Sequence, residues 1–320
     1  MESRRRVGVQ VTGRDSREVL KRIQQAEEMG IQAAWLTTAG AGHDALTMLA
    51  VCAAHTERIL LGTSITPTWP RHPVVMVQQV RVITDLAPGR FRLGIGVGHK
   101  EGIESVFGLE YRAPLAHLRD YLRILKPLLQ QGKVNYDGSH YQAHAETGVT
   151  LDVPVMAAAL RRRSFELCGA EADGAITWVC PRVYVKQVAV PALRAGARRI
   201  GRPVPPLVAQ VPVCVHENPT EALAAIREQL AVYPSLPNYA QMFIDAGFPE
   251  AAQTKAWSDS MIDAIALYGD ESRVKERLLE TFDSGAAELL VSPILAGRDK
   301  AESYYRTMRL VGEVSRTIAK

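Results

Sequence analysis

The sequence predicts an α/β protein folded as a (β/α)8 barrel, the TIM barrel, with insertions. Two observations carry that expectation. Short, continuously apolar runs recur along the 320 residues, and a run with helical periodicity follows each of them. The apolar runs lack the alternation of a half-solvated strand, as parallel strands buried on both faces should. No long linker or low-complexity segment separates the units. One barrel domain over residues 1–320 therefore accounts for them better than two domains, with a doubly wound sheet as the structural alternative.

The first strand is expected at 6–11. Asp15 caps the following helix, with Glu18 in the capping-box position; Val19, Ile23 and Ala26 form its buried stripe, and Gly30 ends it. Strand two at 33–37 leads to a helix over 44–55. Strand three at 59–65 leads to a helix that opens on Pro73 and runs to Leu86. Strand four at 91–97 precedes a long helix over 114–131, and the polar, turn-rich residues 133–150 read as a small β excursion. Strand five is expected at 153–159 with a helix over 164–172, and strand six at 174–177 with a helix over 182–199. After strand seven at 207–215, Asn218 and Pro219 make a strong helix start. Pro234, Pro237, Gly247 and Pro249 then break the pattern across 233–257, which reads as an insertion or lid. A helix over 272–284, strand eight at 288–294 and a helix over 299–318 complete the series.

Composition narrows the function classes. Hydrophobic residues make up 47% of the chain and charged ones 22%, an ordinary globular profile. Lys and Arg total 38 against 34 Asp and Glu, and a net +4 lacks the basic stripe of a dedicated nucleic-acid binder. Cys52, Cys168, Cys180 and Cys214 form no C-x-x-C pair, which argues against a disulfide scaffold or zinc ribbon and for a reducing compartment. The apolar stretch 45–54 is about half of the roughly 20 residues that a membrane helix needs, and no signal-peptide core is visible near Met1. A cytoplasmic protein with a small-molecule substrate, and neither nucleic acid nor membrane as partner, is expected.

In a barrel the chemistry belongs to the loops after the strands. Gly94-Ile95-Gly96-Val97-Gly98 ends strand four; its spacing fails as a dinucleotide fingerprint, leaving a tight strand exit or a bare surface against which a flat ring can lie. Leu61 to Pro67, with Thr63, Ser64 and Ile65 at its centre, is either a simple turn or a ring platform. Arg161-Arg162-Arg163 follows strand five. Three arginines commonly form a solvated face, but a barrel loop leading into a helix N-terminus is also a natural phosphate site. His140 and His144 lack the zinc-protease pattern and read as surface residues, so no metal is expected. His99, beside the strand-four glycines, is the favoured proton donor.

Taken together, these residues resemble the luciferase-like superfamily of (β/α)8 oxidoreductases, and within it the branch that uses the deazaflavin coenzyme F420. The resemblance is carried by Thr56-Glu57-Arg58-Ile59-Leu60-Leu61-Gly62-Thr63, Arg71-His72-Pro73 and the stretch from Asp85 to Gly96. Phe107-Gly108, the Gly138 to Tyr141 excursion, the stretch from Cys168 to Gly174 and Trp178 follow. It runs over most of the chain, best from 30 to 180. It implies a non-prolyl cis peptide at Ser64–Ile65 supporting the ring, Gly96, Val97 and Gly98 flanking it, and Ala158, Ala159, Leu160 and Arg161 receiving the phosphate. Thr38 and Thr63 join the implied cofactor set, and Trp178 is assigned to the substrate. Relatives also suggest a homodimer.

One departure matters. The sugar-phosphate dehydrogenases of this branch carry an Asp-His pair after strand two and a Glu after the strand-four glycines, where this chain has Thr38-Ala39 and His99. Reduction of an activated double bond or imine therefore suits it better than sugar oxidation. An FMN-dependent monooxygenase and a non-catalytic deazaflavin- or flavin-binding protein are the alternatives, with an NAD(P) reductase behind them.

Overall fold

The computed structural model describes residues 5–319. Eight parallel strands close into a barrel: β1 (Arg6–Gln10), β2 (Ala33–Leu36), β3 (Leu60–Thr63), β4 (Phe91–Gly96), β5 (Val155–Ala158), β6 (Gly174–Trp178), β7 (Leu207–Val215) and β8 (Glu288–Pro293). The ring closes where Arg6 of β1 pairs with Glu288 of β8, and where Leu207 of β7 pairs with Ala175 of β6. The nine residues of β7 are all buried, which explains why that run is apolar almost throughout. Two short strands, Thr66–Pro67 beside β4 and Leu267–Gly269 beside β7, extend the sheet at its upper edge.

Helix starts follow the side chains that favour them. Asp15 accepts the Glu18 amide at 2.9 Å and opens Ser16–Glu28, whose buried residues are Val19, Ile23 and Ala26. The expected capping box is shifted by one residue: the Glu18 carboxylate accepts the Arg14 amide at 2.7 Å. Asp44, Asn218, Asp270 and Asp299 cap later helices in the same way.

The structure differs from expectation in several segments. A helix over Lys100–Phe107 follows the strand-four glycines, with Ile103 as its one buried side chain. Ile103, Val106 and Phe107 stand at i, i+3 and i+4, but a run of 8 residues with Gly102 in its first turn is too short to mark a helix. The expected helix over 182–199 is interrupted: Val185–Ala189 is a π turn, and Val190–Arg199 follows with a proline in its first turn. Pro191 has no amide to return to the preceding turn, and a wider turn accommodates that loss. The residues 133–150 form an antiparallel hairpin of Lys133–Asp137 and Gln142–Glu146. The insertion 233–257 is largely helical, with Pro237–Asp245 and Ala251–Thr254, and Asp259–Ile265 follows it.

Inside the barrel, Trp35 lies against Gly62, and the bare Cα of Gly94 faces the Thr63 carbonyl. A methyl group at Gly94 would overlap that carbonyl oxygen, which is backbone and cannot step aside. Gly94→Ala is expected to cost about 1–3 kcal/mol, the usual range for overpacking. Urea unfolding followed by circular dichroism reads it, and a midpoint equal to wild type would contradict the close approach.

Candidate active site

At the C-terminal ends of the strands lies a cavity of about 1170 Å³. Its floor is polar. Gln210 Nε2 donates to Gln10 Oε1 at 3.1 Å and to Ser292 Oγ at 2.9 Å, and Ser292 Oγ donates to Gln10 Oε1 at 2.6 Å. With its carbonyl oxygen so occupied, Gln10 turns its amide group to Thr37 Oγ1 at 2.9 Å, and that hydroxyl donates to the Ser64 carbonyl at 2.6 Å. The interior of the barrel is thereby tied to the bulge after β3.

That bulge contains the cis peptide Ser64–Ile65 that the resemblance implied. The Thr38 amide donates to the Ile65 carbonyl at 3.2 Å, so both carbonyls of the bulge are taken. Ser64 Oγ is buried without a hydrogen-bond partner in a residue that lines the cavity. Val97 and Gly98 line the cavity after β4, and Gly98 has φ +66°. After β5, Ala158, Ala159, Leu160 and Arg161 line it together with the first turn of the helix Arg162–Glu171. Thr38 and Trp178 are in the wall as well.

Two expected cofactor residues do not face the cavity. Thr63 is fully buried, its hydroxyl donating to the Gly94 carbonyl at 2.7 Å and accepting the Gly94 amide at 2.9 Å. Strand alternation turns Ser64 toward the opening and Thr63 away from it. Gly96 lies behind the platform, where a Cβ would meet Ile65 and Ala158 at 3.0 Å. Its carbonyl accepts the Thr68 amide at 3.0 Å. A third expectation is corrected elsewhere: His140 is not a surface residue. Its side chain is 13% exposed, because the hairpin folds onto the helix Pro114–Gln130 and the Asp120 carboxylate accepts the His140 amide at 2.8 Å.

His99 stays open to the cavity while protein crowds its other sides. Desolvation pushes its pKa below the ordinary histidine value, and Glu101 pulls the other way. The neutral imidazole, already the larger form of an ordinary histidine at pH 7, is thereby favoured further, and the imidazolium donor is a minority.

Other wall residues escaped the sequence reading. Tyr233, Asn238, Tyr239 and Asp245 all come from the insertion. Asp245 pairs with Arg161 at 3.3 Å, joining the insertion to the loop after β5. Gln10 and Gln210 were visible as polar interruptions of apolar strands, a signal that would have marked the floor.

A second cavity, of about 640 Å³, opens at the N-terminal end of the barrel beside Arg6 and Arg92. Both guanidinium groups there are spent on Glu288, and that end of such a barrel serves stability.

Residues 2–288 match the family described as luciferase-like monooxygenase. The chain belongs to that family. Among luciferase-like relatives, 5,10-methylenetetrahydromethanopterin reductase of Methanolobus tindarius is 25% identical over 297 residues, covering 86% of this chain and 90% of its own. Two solved structures share the fold. The coenzyme F420-dependent tetrahydromethanopterin reductase of Methanopyrus kandleri superposes with a TM-score of 0.79 at 21% identity, over 98% of this chain and 99% of its own. The oxygenating constituent of 3,6-diketocamphane monooxygenase of Pseudomonas putida, solved with FMN, gives a TM-score of 0.72 at 15% identity, over 98% and 97%. The luciferase-like barrel is thus shared by deazaflavin and flavin proteins.

Proposed function

We propose that this luciferase-like protein is a coenzyme F420-dependent oxidoreductase that reduces a small organic acceptor at the mouth of its barrel. One observation carries the reading: a single cavity joins a platform bearing the unpartnered Ser64 hydroxyl to a row of three arginines at a helix start. A flat ring fits against Ile65, Val97 and Gly98. The phosphate and oligoglutamate tail of the deazaflavin is polyanionic, and it suits Arg161, Arg162, Arg163 and the first turn of their helix.

When bound in its reduced form, the deazaflavin supplies a hydride to an electron-poor carbon of the acceptor. The barrel loops hold ring and acceptor in contact and keep water out. His99 stands at the rim to give a proton to the acceptor's heteroatom. Thr38 and Ala39 stand where sugar-phosphate dehydrogenases of this branch carry their Asp-His pair, which favours reduction over sugar oxidation.

The protein acts, on this reading, in the cytoplasm and as a homodimer. Val75, Val82 and Leu86 on the helix Pro73–Leu86 are exposed, as is Val51 on Ala45–Ala54, and this apolar face suits a second copy. Light scattering on the purified protein checks the dimer.

Side-by-side titrations with coenzyme F420, FMN and NADPH test the cofactor. The deazaflavin is expected to bind more tightly than FMN, and its affinity should fall as salt screens the arginines. FMN binding that is equal or tighter, and indifferent to salt, returns the protein to the monooxygenase alternative.

A further inference from the structure

Tyr233, where the insertion begins, meets three other rings in the cavity wall. Its centroid lies 5.8 Å from Trp178, 5.0 Å from Tyr239 and 6.2 Å from His99, at interplanar angles of 76°, 62° and 68°. Tyr239 and His99 are themselves 5.8 Å apart. His99 comes from the loop after β4 and Trp178 is the last residue of β6, whereas both tyrosines belong to the insertion. We infer that this aromatic wall is the acceptor subsite, and that its acceptor is a flat, uncharged aromatic or conjugated carbonyl compound. The inference rests on the reading above, in which the redox cofactor takes the arginine side of the same cavity.

Three observations select that chemistry. No carboxylate or ammonium belongs to the wall, so nothing in it compensates a charged guest. The carboxylate that lines the cavity among the described residues, Asp245, is already paired with Arg161. Arg161, Arg162 and Arg163 follow β5, between the His99 loop and the strand that ends on Trp178; their field opposes a cationic acceptor, and the polyanionic cofactor tail that they hold opposes an anionic one. Tyr233 crosses its three neighbours at 62–76°, the edge-to-face arrangement that aromatic pairs prefer, and a planar guest can join the same cluster. A puckered aliphatic guest joins such a cluster poorly.

The test is calorimetric titration of the deazaflavin-saturated protein with 2-acetylnaphthalene and with its ring-saturated decalin counterpart. The flat ketone is expected to bind at least about fivefold more tightly. Tyr233→Ala should abolish that preference and Tyr233→Phe should keep it, while deazaflavin affinity stays within about twofold in both. Trp178→Leu gives the same readout should Tyr233→Ala fail to fold. Equal binding of the two ketones overturns the inference, as does a preference untouched by both Tyr233→Ala and Trp178→Leu. So does tighter binding of 2-naphthoate or naphthyltrimethylammonium. Should the wild type bind no deazaflavin, the proposed function falls by itself, and the same ketone titration on the protein alone still decides the wall.

Discussion

Replacing His99 with alanine is expected to slow turnover at saturating cofactor by about 10²-fold, the lower end of what general-acid help usually supplies. Position argues for the role: His99 follows Val97 and Gly98, both in the cavity wall, and its own ring is open to the cavity. Electrostatics sets the size. Desolvation lowers its pKa, so the imidazolium is a minority at neutral pH and each further unit of lowering removes about tenfold of it. The sign follows. The protonated form is the donor, so the rate should fall as pH rises through a pKa below the ordinary 6.5, and His99→Ala should flatten that limb. Cofactor affinity should stay nearly unchanged, since the platform and the arginines hold the cofactor. The side chain makes no capping bond to the helix Lys100–Phe107, so alanine costs little stability there. Steady-state kinetics between pH 5 and pH 8 decide the matter. An unchanged rate constant at every pH, or a loss confined to cofactor binding, would remove His99 from the chemistry.

The barrel was legible because its evidence is local and repeated. Val19, Ile23 and Ala26 mark a buried stripe, Asn218-Pro219 a helix start, and the nine buried residues of β7 a strand packed on both sides. Lys100–Phe107 was not legible, since its 8 residues give only one repeat of apolar spacing and Gly102 interrupts the first turn. The site divided along the same line. The backbone parts, Ser64, Ile65, Val97, Gly98 and the loop after β5, sit at strand ends and could be placed once the strands were counted. Thr63 and Gly96 stand behind the cavity wall because successive residues of an extended chain point to opposite sides, and a resemblance that supplies three consecutive residues includes the one turned away. Tyr233 and Tyr239 lie in a segment that Pro234, Pro237, Gly247 and Pro249 break into short pieces, and nothing local ties them to loops that precede them by many residues. The bond from Gln10 through Thr37 to the Ser64 carbonyl likewise exists only after the barrel closes.

Glu288→Ala is expected to destabilise the protein by about 3–5 kcal/mol, the cost of removing one partner from a buried ion pair. Glu288 begins β8 at the N-terminal end of the barrel, and its side chain is 4% exposed. It accepts from both terminal nitrogens of Arg92 at 2.6 and 3.0 Å, from Arg6 at 3.2 Å and from the Trp35 indole at 3.2 Å. The Arg92 guanidinium also lies over the Trp35 ring, 4.4 Å from its centroid, and its side chain is 11% exposed. Without Glu288 that charge stays in place with no carboxylate to meet it. Glu288→Gln keeps acceptor and shape but loses the charge, so it should fall between the wild type and alanine. The pH dependence has a definite sign. Burial alone pushes the carboxyl up, but Arg92 and Arg6 outweigh it and hold the pKa below the ordinary glutamate value. The stabilisation is therefore present above the unfolded pKa of about 4.3 and is lost as pH falls through the lower folded value. Urea midpoints at pH 7 should separate wild type, Gln and Ala in that order, with the gap between wild type and Gln narrowing under acid. Cofactor affinity should not follow, since the cluster lies at the opposite end of the barrel from the cavity. A double variant, Arg92→Met with Glu288→Leu, isolates the cause. Near-wild-type stability in the double assigns the loss in Glu288→Ala to the stranded guanidinium, whereas a loss as large as that of Glu288→Ala would mean that shape, rather than charge, holds this end of the barrel together.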